Sequence, residues 1–256
     1  MRREMFCELN GKAVIVTGAN GQVGRVLSLK LHEVGVKVIG LDIVESSENC
    51  FFEFLKVDVS DEEAVKRVFD SKVLQDLEPY GLVNNAGYSI FPDFNLRSKE
   101  DFFRTLEVNL WAPFLLTREF SRLNEKVESP SVWRSIVNVS SIYGIVSPDF
   151  RIYDTTDRRS SEIYGSSKSG LLQMTRYFSV ALADKRIRVN SVVPGGVFND
   201  TNPQSDQFVQ KYSHRVPMRR MAKTEEIVSP IIFLLSDSSS YITGATLVID
   251  GGLSAM

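Results

Sequence analysis

Residues 13–31, AVIVTGANGQVGRVLSLKL, decide the fold. A short apolar run, 13 to 17, passes through TGANGQVG into a stretch whose Val23, Val26, Leu27 and Leu31 recur at helical spacing. Gly18, Gly21 and Gly24 let the backbone turn tightly, approach a pyrophosphate and pack helix on strand, while the helix N-terminus faces the phosphate charge. A glycine run alone also makes ordinary turns, so its place between strand and helix is what gives it meaning. Asp42 closes the next apolar run, 24 residues after Gly18. That is close to the offset of roughly 20 residues at which an acid meets an adenosine ribose.

Outward from this unit, β-branched runs at 13–17, 36–42, 81–85, 135–140, 187–193 and 246–250 alternate with helical patterns at 61–76, 99–123, 164–183 and 224–236. Thr224 opens the last helix, with Glu225 and Glu226 in its first turn. The alternation predicts an α/β fold: a doubly wound parallel sheet of Rossmann type in three α/β/α layers. No repeat or linker interrupts the series, so residues 1–256 read as one dinucleotide-binding and catalytic domain. Two segments without regular pattern, 142–162 and 197–222, follow strand C-termini, where ligands sit in such sheets.

Composition narrows the chemistry. With 30 Lys and Arg against 32 Asp and Glu, the net charge of −2 gives no field for nucleic acid or an anionic membrane, so the expected partner is a small molecule. Cys7 and Cys50 are the only cysteines and His32 and His214 the only histidines, which argues against a disulfide framework, a thiolate zinc site or a multi-histidine metal centre. No metal is expected. The N-terminal stretch has no apolar segment of signal-peptide length and no run approaches a membrane span, so a soluble, unprocessed, cytoplasmic protein is expected.

Tyr164 and Lys168 stand at i and i+4 at the start of a helical pattern and so share one face. A phenol with a reference pKa near ~10 is a poor base at neutral pH, and an ammonium beside it stabilises the phenolate. Ser140 and Ser141 end the strand before this helix, where a hydroxyl could hydrogen-bond a substrate oxygen.

In this order of motifs the whole chain resembles the short-chain dehydrogenase/reductase family, single-domain branch. They are the glycine turn, Asp42, Asp58 and Val59 in KVDVS, Asn85, Ala86 and Gly87 in NNAG, Asn109 in VNLW, Ser141, Tyr164 with Lys168, PGGV at 194 to 197, and DGG at 250 to 252. The resemblance implies hydride transfer between NAD(H) and a secondary alcohol or ketone. In it Tyr164 is the acid/base, Lys168 lowers its pKa and holds the nicotinamide ribose, Ser141 orients the carbonyl, and Asn109 anchors the water of a proton relay. It places cofactor contacts at Gly18, Asn20, Gly21, Gln22, Val23, Gly24, Asp42, Ile43, Asp58, Val59, Asn85, Ala86, Gly87, Tyr164, Lys168, Pro194, Gly195 and Val197. Asp58 would meet adenine and Val197 the carboxamide.

The chain departs from the branch twice. Its middle glycine is Gly21, with Gln22 in the usual glycine place, and the stretch between Ser141 and Tyr164 is longer than usual. The glycine spacing is closer to the family's epimerase branch, so a nucleotide-sugar epimerase or dehydratase is one alternative, and a non-catalytic dinucleotide-binding regulator another. The resemblance also implies a homo-oligomer, tetramer or dimer, with Phe102, Phe103, Leu106, Leu110 and Phe114 supplying apolar surface on one helix. The polar segment SPDFRIYDTTDRRSSEI, with Arg151, Arg158, Arg159 and Arg219, favours a phosphorylated or nucleotide-linked sugar or another acidic polyol. Arg220 resembles a structural arginine of the family. The spellings SIYGIVSPDFRIY and PGGVFND resemble the subset linked to surface-sugar and flagellin-modification pathways.

Overall fold

The computed structural model describes residues 8–91, 93–125, 132–153 and 159–256, so Cys7 and Arg158 lie outside the described residues. Seven strands form one wholly parallel sheet in the order β3-β2-β1-β4-β5-β6-β7. They are β1 (Ala13–Thr17), β2 (Lys37–Asp42), β3 (Glu53–Lys56), β4 (Gly81–Asn84), β5 (Arg134–Val139), β6 (Ile187–Pro194) and β7 (Thr246–Ile249). Six of them answer to the runs read from the sequence. The seventh, β3, is a four-residue edge strand whose EFLK is half-buried to exposed and carries no alternation long enough to mark it.

Alternation in the central strands sorts their side chains to two faces. Ala13 and Ile15 of β1, with Leu82, Ile136 and Val189, pack under helices α2 (Glu62–Phe69) and α5 (Ala112–Glu125) through Val65, Phe69, Leu116 and Phe120. Val14 and Val16, with Val38, Val83 and Val137, pack under α1 (Gln22–Glu33) and α8 (Thr224–Leu235) through Leu27, Leu31, Ile231 and Leu235. Each fully buried aliphatic side chain contributes about 2 kcal/mol, so the two faces dominate the favourable side of folding.

The boundaries differ from the sequence reading where capping side chains act. The pattern at 61–76 is two helices, because Ser71 accepts from the Leu74 amide and starts α3 (Lys72–Leu77) anew. The pattern at 99–123 is α4 (Lys99–Leu106), a π-helical turn at Glu107–Trp111 and then α5. The helix carrying Tyr164, α6 (Glu162–Ala181), starts earlier than expected because Ser161 caps the Tyr164 amide. Inside 197–222 lies α7 (Asp206–Arg215), capped by Ser205. Thr224 is the first residue of α8 rather than its cap: Lys223 occupies the cap position, and its amide donates to Glu226 at 2.8 Å.

The strand order reverses between β1 and β4, so the connections that follow them lead to opposite sides and leave a crevice there, the switch point where ligands bind in such sheets.

Candidate active site

A groove of about 840 Å³ runs along the C-terminal edge of the sheet from Asp42 to Lys168. Its floor is the glycine turn. Gly18 has φ of +61°, and a Cβ there would stand 2.9 Å from the Ala86 Cα; a Cβ on Gly24 would stand 2.1 Å from the Gly18 carbonyl oxygen. These positions admit only glycine, and they leave backbone facing the groove at the α1 N-terminus, as a diphosphate requires. Thr17 fastens the opposite wall, its hydroxyl accepting from the Asn85 and Ala86 amides at 3.0 Å each.

At one end, the Asp42 carboxylate accepts from the Asn20 amide at 2.9 Å and the Val44 amide at 3.2 Å, which leaves further lone pairs for ribose hydroxyls. Asp58 pairs with Arg104 at 2.8 Å and with Ser60 at 2.6 Å. Burial alone would raise its pKa, but the Ser60 and Arg104 hydrogen bonds win and hold it below the usual carboxylate range.

At the other end, Tyr164 and Lys168 come off the first turns of α6. Lys168 is 3 % exposed; its Nζ donates to the Val139 carbonyl at 2.9 Å and stands 5.8 Å from the centre of the Tyr164 ring. Burial lowers the Lys168 ammonium to about 8. Burial also pushes the Tyr164 phenol above its ordinary value, and a hydrogen bond with Ser141 pulls only partly against it. Desolvation thus opposes the charged form of both groups, and the Val139 carbonyl accepts from the ammonium. Ser141 shares a cavity wall with Tyr164, whereas the Ser140 hydroxyl turns away to the Lys168 carbonyl at 2.9 Å.

Three expected contacts lie off the walls. Asn109, fully buried in the π turn, accepts from the Tyr88 amide at 2.7 Å and donates to the Tyr88 carbonyl at 2.8 Å and the Ser167 hydroxyl at 3.0 Å. Its side chain thus braces the wall, with both amide hydrogens used. Gly24 packs behind the turn against Gly18, and Pro194 is buried in β6 against Ile249, so neither faces the groove. Gly195 and Val197 line the adjoining cavity rather than the groove itself. The other expected cofactor contacts, Gly21, Val23, Ile43, Val59 and Gly87 among them, stand on the groove wall.

Gln22 does more than line it. Its side-chain amide donates to the Phe198 carbonyl at 2.6 Å and the Thr224 hydroxyl at 3.0 Å, tying the glycine turn to the segment after Val197. The substitution at the usual glycine place is therefore a cross-link between two ligand-facing loops.

Beside Tyr164 the cavity opens to about 730 Å³. Its walls are Phe91, Tyr143, Tyr153, Phe208 and Tyr212, with Ser89, Ser141, Gln204 and Ser205 between them. Tyr143 and Tyr153 share a hydroxyl hydrogen bond of 2.8 Å, and the Tyr212 hydroxyl accepts from the Gly196 amide. Burial raises Tyr143 well above ordinary phenols, so it is a neutral donor and acceptor. The polar loop composition did not disclose these rings; Phe208 and Tyr212, at i and i+4 after Ser205, are the signal that could have. Of the expected arginines, Arg151 is held by Asp149 at 2.9 Å and Arg219 by the His214 carbonyl, and neither faces this cavity. Arg220 pairs with Glu226 at 2.6 Å.

Comparison with known proteins identifies the family. A family model described as enoyl-(acyl carrier protein) reductase matches residues 18–254. The chain belongs to the short-chain dehydrogenase/reductase family. A short-chain dehydrogenase from Leptospira borgpetersenii, solved with bound NAD+, superposes with a TM-score of 0.88 at 36% identity, covering 97% of this chain and 95% of that one. The 3-oxoacyl-(acyl-carrier-protein) reductase FabG of Thermotoga maritima is 34% identical over 96% of this chain and 98% of its own length. Post-translational flagellin modification protein A of Campylobacter coli is 29% identical over 95% and 98%. Membership in this family makes the chain an oxidoreductase acting on CH–OH groups. Among the described residues no group of side chains could hold a metal ion, and no helix is long and apolar enough to cross a membrane.

Proposed function

We propose that the chain interconverts a secondary alcohol and a ketone with NAD(H), by acid/base catalysis at Tyr164, on a polyhydroxylated, sugar-like substrate. The observation that carries the reading is the convergence of Tyr164, Ser141 and Lys168 where the groove meets the aromatic cavity. The glycine cradle, where a Cβ on Gly18 or Gly24 would clash with backbone, fits a dinucleotide diphosphate; Asp42 fits the adenosine ribose and Lys168 the nicotinamide ribose. When bound, the nicotinamide supplies or accepts the hydride.

The chain's own residues then handle the proton. Ser141 donates a hydrogen bond to the substrate oxygen and fixes it beside Tyr164. With its pKa raised, the Tyr164 phenol is protonated at neutral pH and gives its proton to the oxygen formed on ketone reduction. A Lys168 ammonium beside it holds the phenolate left behind. With both side-chain amide hydrogens of Asn109 engaged, we assign its main-chain carbonyl in the π turn as the group that holds a relay water. Aromatic rings set among hydroxyls and amides suit a sugar ring, whose CH faces lie on the rings while its hydroxyls meet Tyr143, Tyr153 and Gln204. The relatives' names span acyl and flagellin-modification proteins and do not choose among substrates.

Incubating the protein with NAD+ and a panel of free sugars, polyols, sugar phosphates, steroids and acyl alcohols, followed by absorbance of the reduced nicotinamide, tests this. Turnover of polyols or sugar derivatives supports it. Highest efficiency on a steroid or acyl alcohol, with no sugar derivative turned over, removes the substrate assignment. Half-exposed Trp111 stacks on Phe114 at 5.3 Å between ring centres, and the pair supports a homo-oligomer through α5. A stable monomer by light scattering at micromolar concentration refutes that part.

A further inference from the structure

A second chamber, of about 1070 Å³, shares Phe91 and Ser160 with the catalytic cavity but does not include Tyr164. Its walls are phenyl rings from three segments, Phe94, Phe102, Phe103 and Phe150, each between 38% and 68% exposed. Set among them are polar groups without partners. The Arg97 side chain is 7% exposed; its Nε and Nη2 hold Glu162 at 3.0 and 3.1 Å, but its buried Nη1 meets nothing. Arg159 Nε and Ser160 Oγ are likewise buried and unpartnered.

Buried polar atoms in folded proteins are nearly always satisfied, and these three unsatisfied ones belong to residues of one chamber wall, whose guanidinium and hydroxyl groups can turn toward acceptor oxygens bound there. The charges agree in sign. Arg97, Lys99 and Arg159 face Asp93 and Glu162, an excess of one positive charge on the wall. Ser160 stands on the boundary, so an oxygen-rich group bound there has the catalytic cavity on one side and the phenyl chamber on the other.

We propose that this chamber holds the non-reacting end of the substrate: an aromatic or acyl body joined to the reacting alcohol through a phosphoryl or carboxyl link bound by Arg97, Arg159 and Ser160. The inference rests on Tyr164 marking the site of alcohol oxidation. Two sources carry that chemistry, a nucleotide-linked sugar and a phosphorylated acyl carrier, and they separate by experiment.

The test compares kcat/KM within two series at saturating NAD+. One is uridine-diphosphate-linked hexose, the hexose 1-phosphate and the free hexose; the other is 3-hydroxybutyryl-coenzyme A and methyl 3-hydroxybutyrate. Dialysis of uridine monophosphate and of coenzyme A against the NAD+-loaded protein measures tail binding directly. The expected result is an advantage of tenfold or more for the extended member of one series, with its tail alone binding. Both effects should vanish in the double variant Phe94→Ala, Arg159→Gln, while the free hexose and methyl 3-hydroxybutyrate, which lack the link, turn over as in the unaltered protein. Equal rates in both series overturn the proposal, as does failure of both tails to bind. Retention of the advantage by the double variant overturns it too, and if light scattering shows that variant dissociated, the rings serve a second copy instead. Turnover without a tail effect leaves the Tyr164 reading standing; tail binding without turnover of any alcohol removes that reading and keeps the chamber.

Discussion

The two halves of the cleft are built from different material. The cofactor half is backbone: glycines whose hydrogens face one another's carbonyls, and short side chains such as Thr17 and Asp42 spent on neighbouring amides. The substrate half is side chain: rings from the segments after β4, β5 and β6 that meet only in the folded chain. Backbone surfaces tolerate no substitution and so fix one ligand, whereas a wall of interchangeable rings changes its ligand one residue at a time.

The sharpest way to separate the halves is Tyr164→Phe, which removes a proton and leaves the groove unaltered. Turnover should fall about a thousandfold, the size of general acid/base catalysis, with cofactor affinity held within about threefold. Retention of a tenth of the activity breaks the assignment. Gly24→Ala attacks the other half. A Cβ 2.1 Å from the Gly18 oxygen must displace the turn, at about 1–3 kcal/mol of stability, and cofactor affinity should drop about a hundredfold. Calorimetric titration with NADH checks it; unchanged binding would mean the turn is soft.

What could be read in advance follows the same division. The Gly18, Gly21 and Gly24 turn, Asp42 and the Tyr164–Lys168 pair are local patterns, fixed by φ or by helical spacing, and the sequence carries them openly. Rings such as Tyr153 and Phe208, 5.4 Å apart between centroids, are 55 residues apart in the chain, and no local pattern joins them. Short β3 was hidden because four half-exposed residues have no periodicity. Spacing likewise shows that Lys168 is near Tyr164 but not that Val139 accepts from its ammonium or that burial raises the phenol.

Asp42 sharpens the cofactor half further. We expect wild type to prefer NAD(H), and Asp42→Asn to lose about tenfold of that preference, or about 1.4 kcal/mol, once charge repulsion with a 2′-phosphate is gone. Comparable efficiency with NADP(H) in the unaltered protein would contradict this. Gln22 joins the halves. Gln22→Ala removes two hydrogen bonds worth about 1–3 kcal/mol together, and should raise substrate KM several-fold with little change in NADH affinity. Equal loss in both would place its role in the turn alone.

The smallest effect is one of pH. Lys168 sits at about 8 when folded against an ordinary 10.5, so the unfolded chain binds the proton more tightly between those values. Its burial penalty is complete below pH 8 and fades as pH rises toward 10.5. The stability of the wild type relative to Lys168→Met should therefore improve over that window. A melting-temperature difference that stays flat from pH 7 to 10 would show the ammonium is less desolvated than its surroundings suggest.

The π turn at Glu107–Trp111 has a consequence in time as well as in space. It puts a short run of i→i+5 bonds between two α-helical rods, α4 and α5, with Asn109 at its centre. Amide hydrogens in such a run exchange with solvent deuterium faster than those of the rods on either side, because local opening there breaks fewer and weaker bonds. Asn109, pinned by Tyr88 and Ser167, is the clamp on that joint. An exchange profile with a fast notch at 107 to 111 between two slow segments would mark the catalytic wall as a hinge latched by one amide.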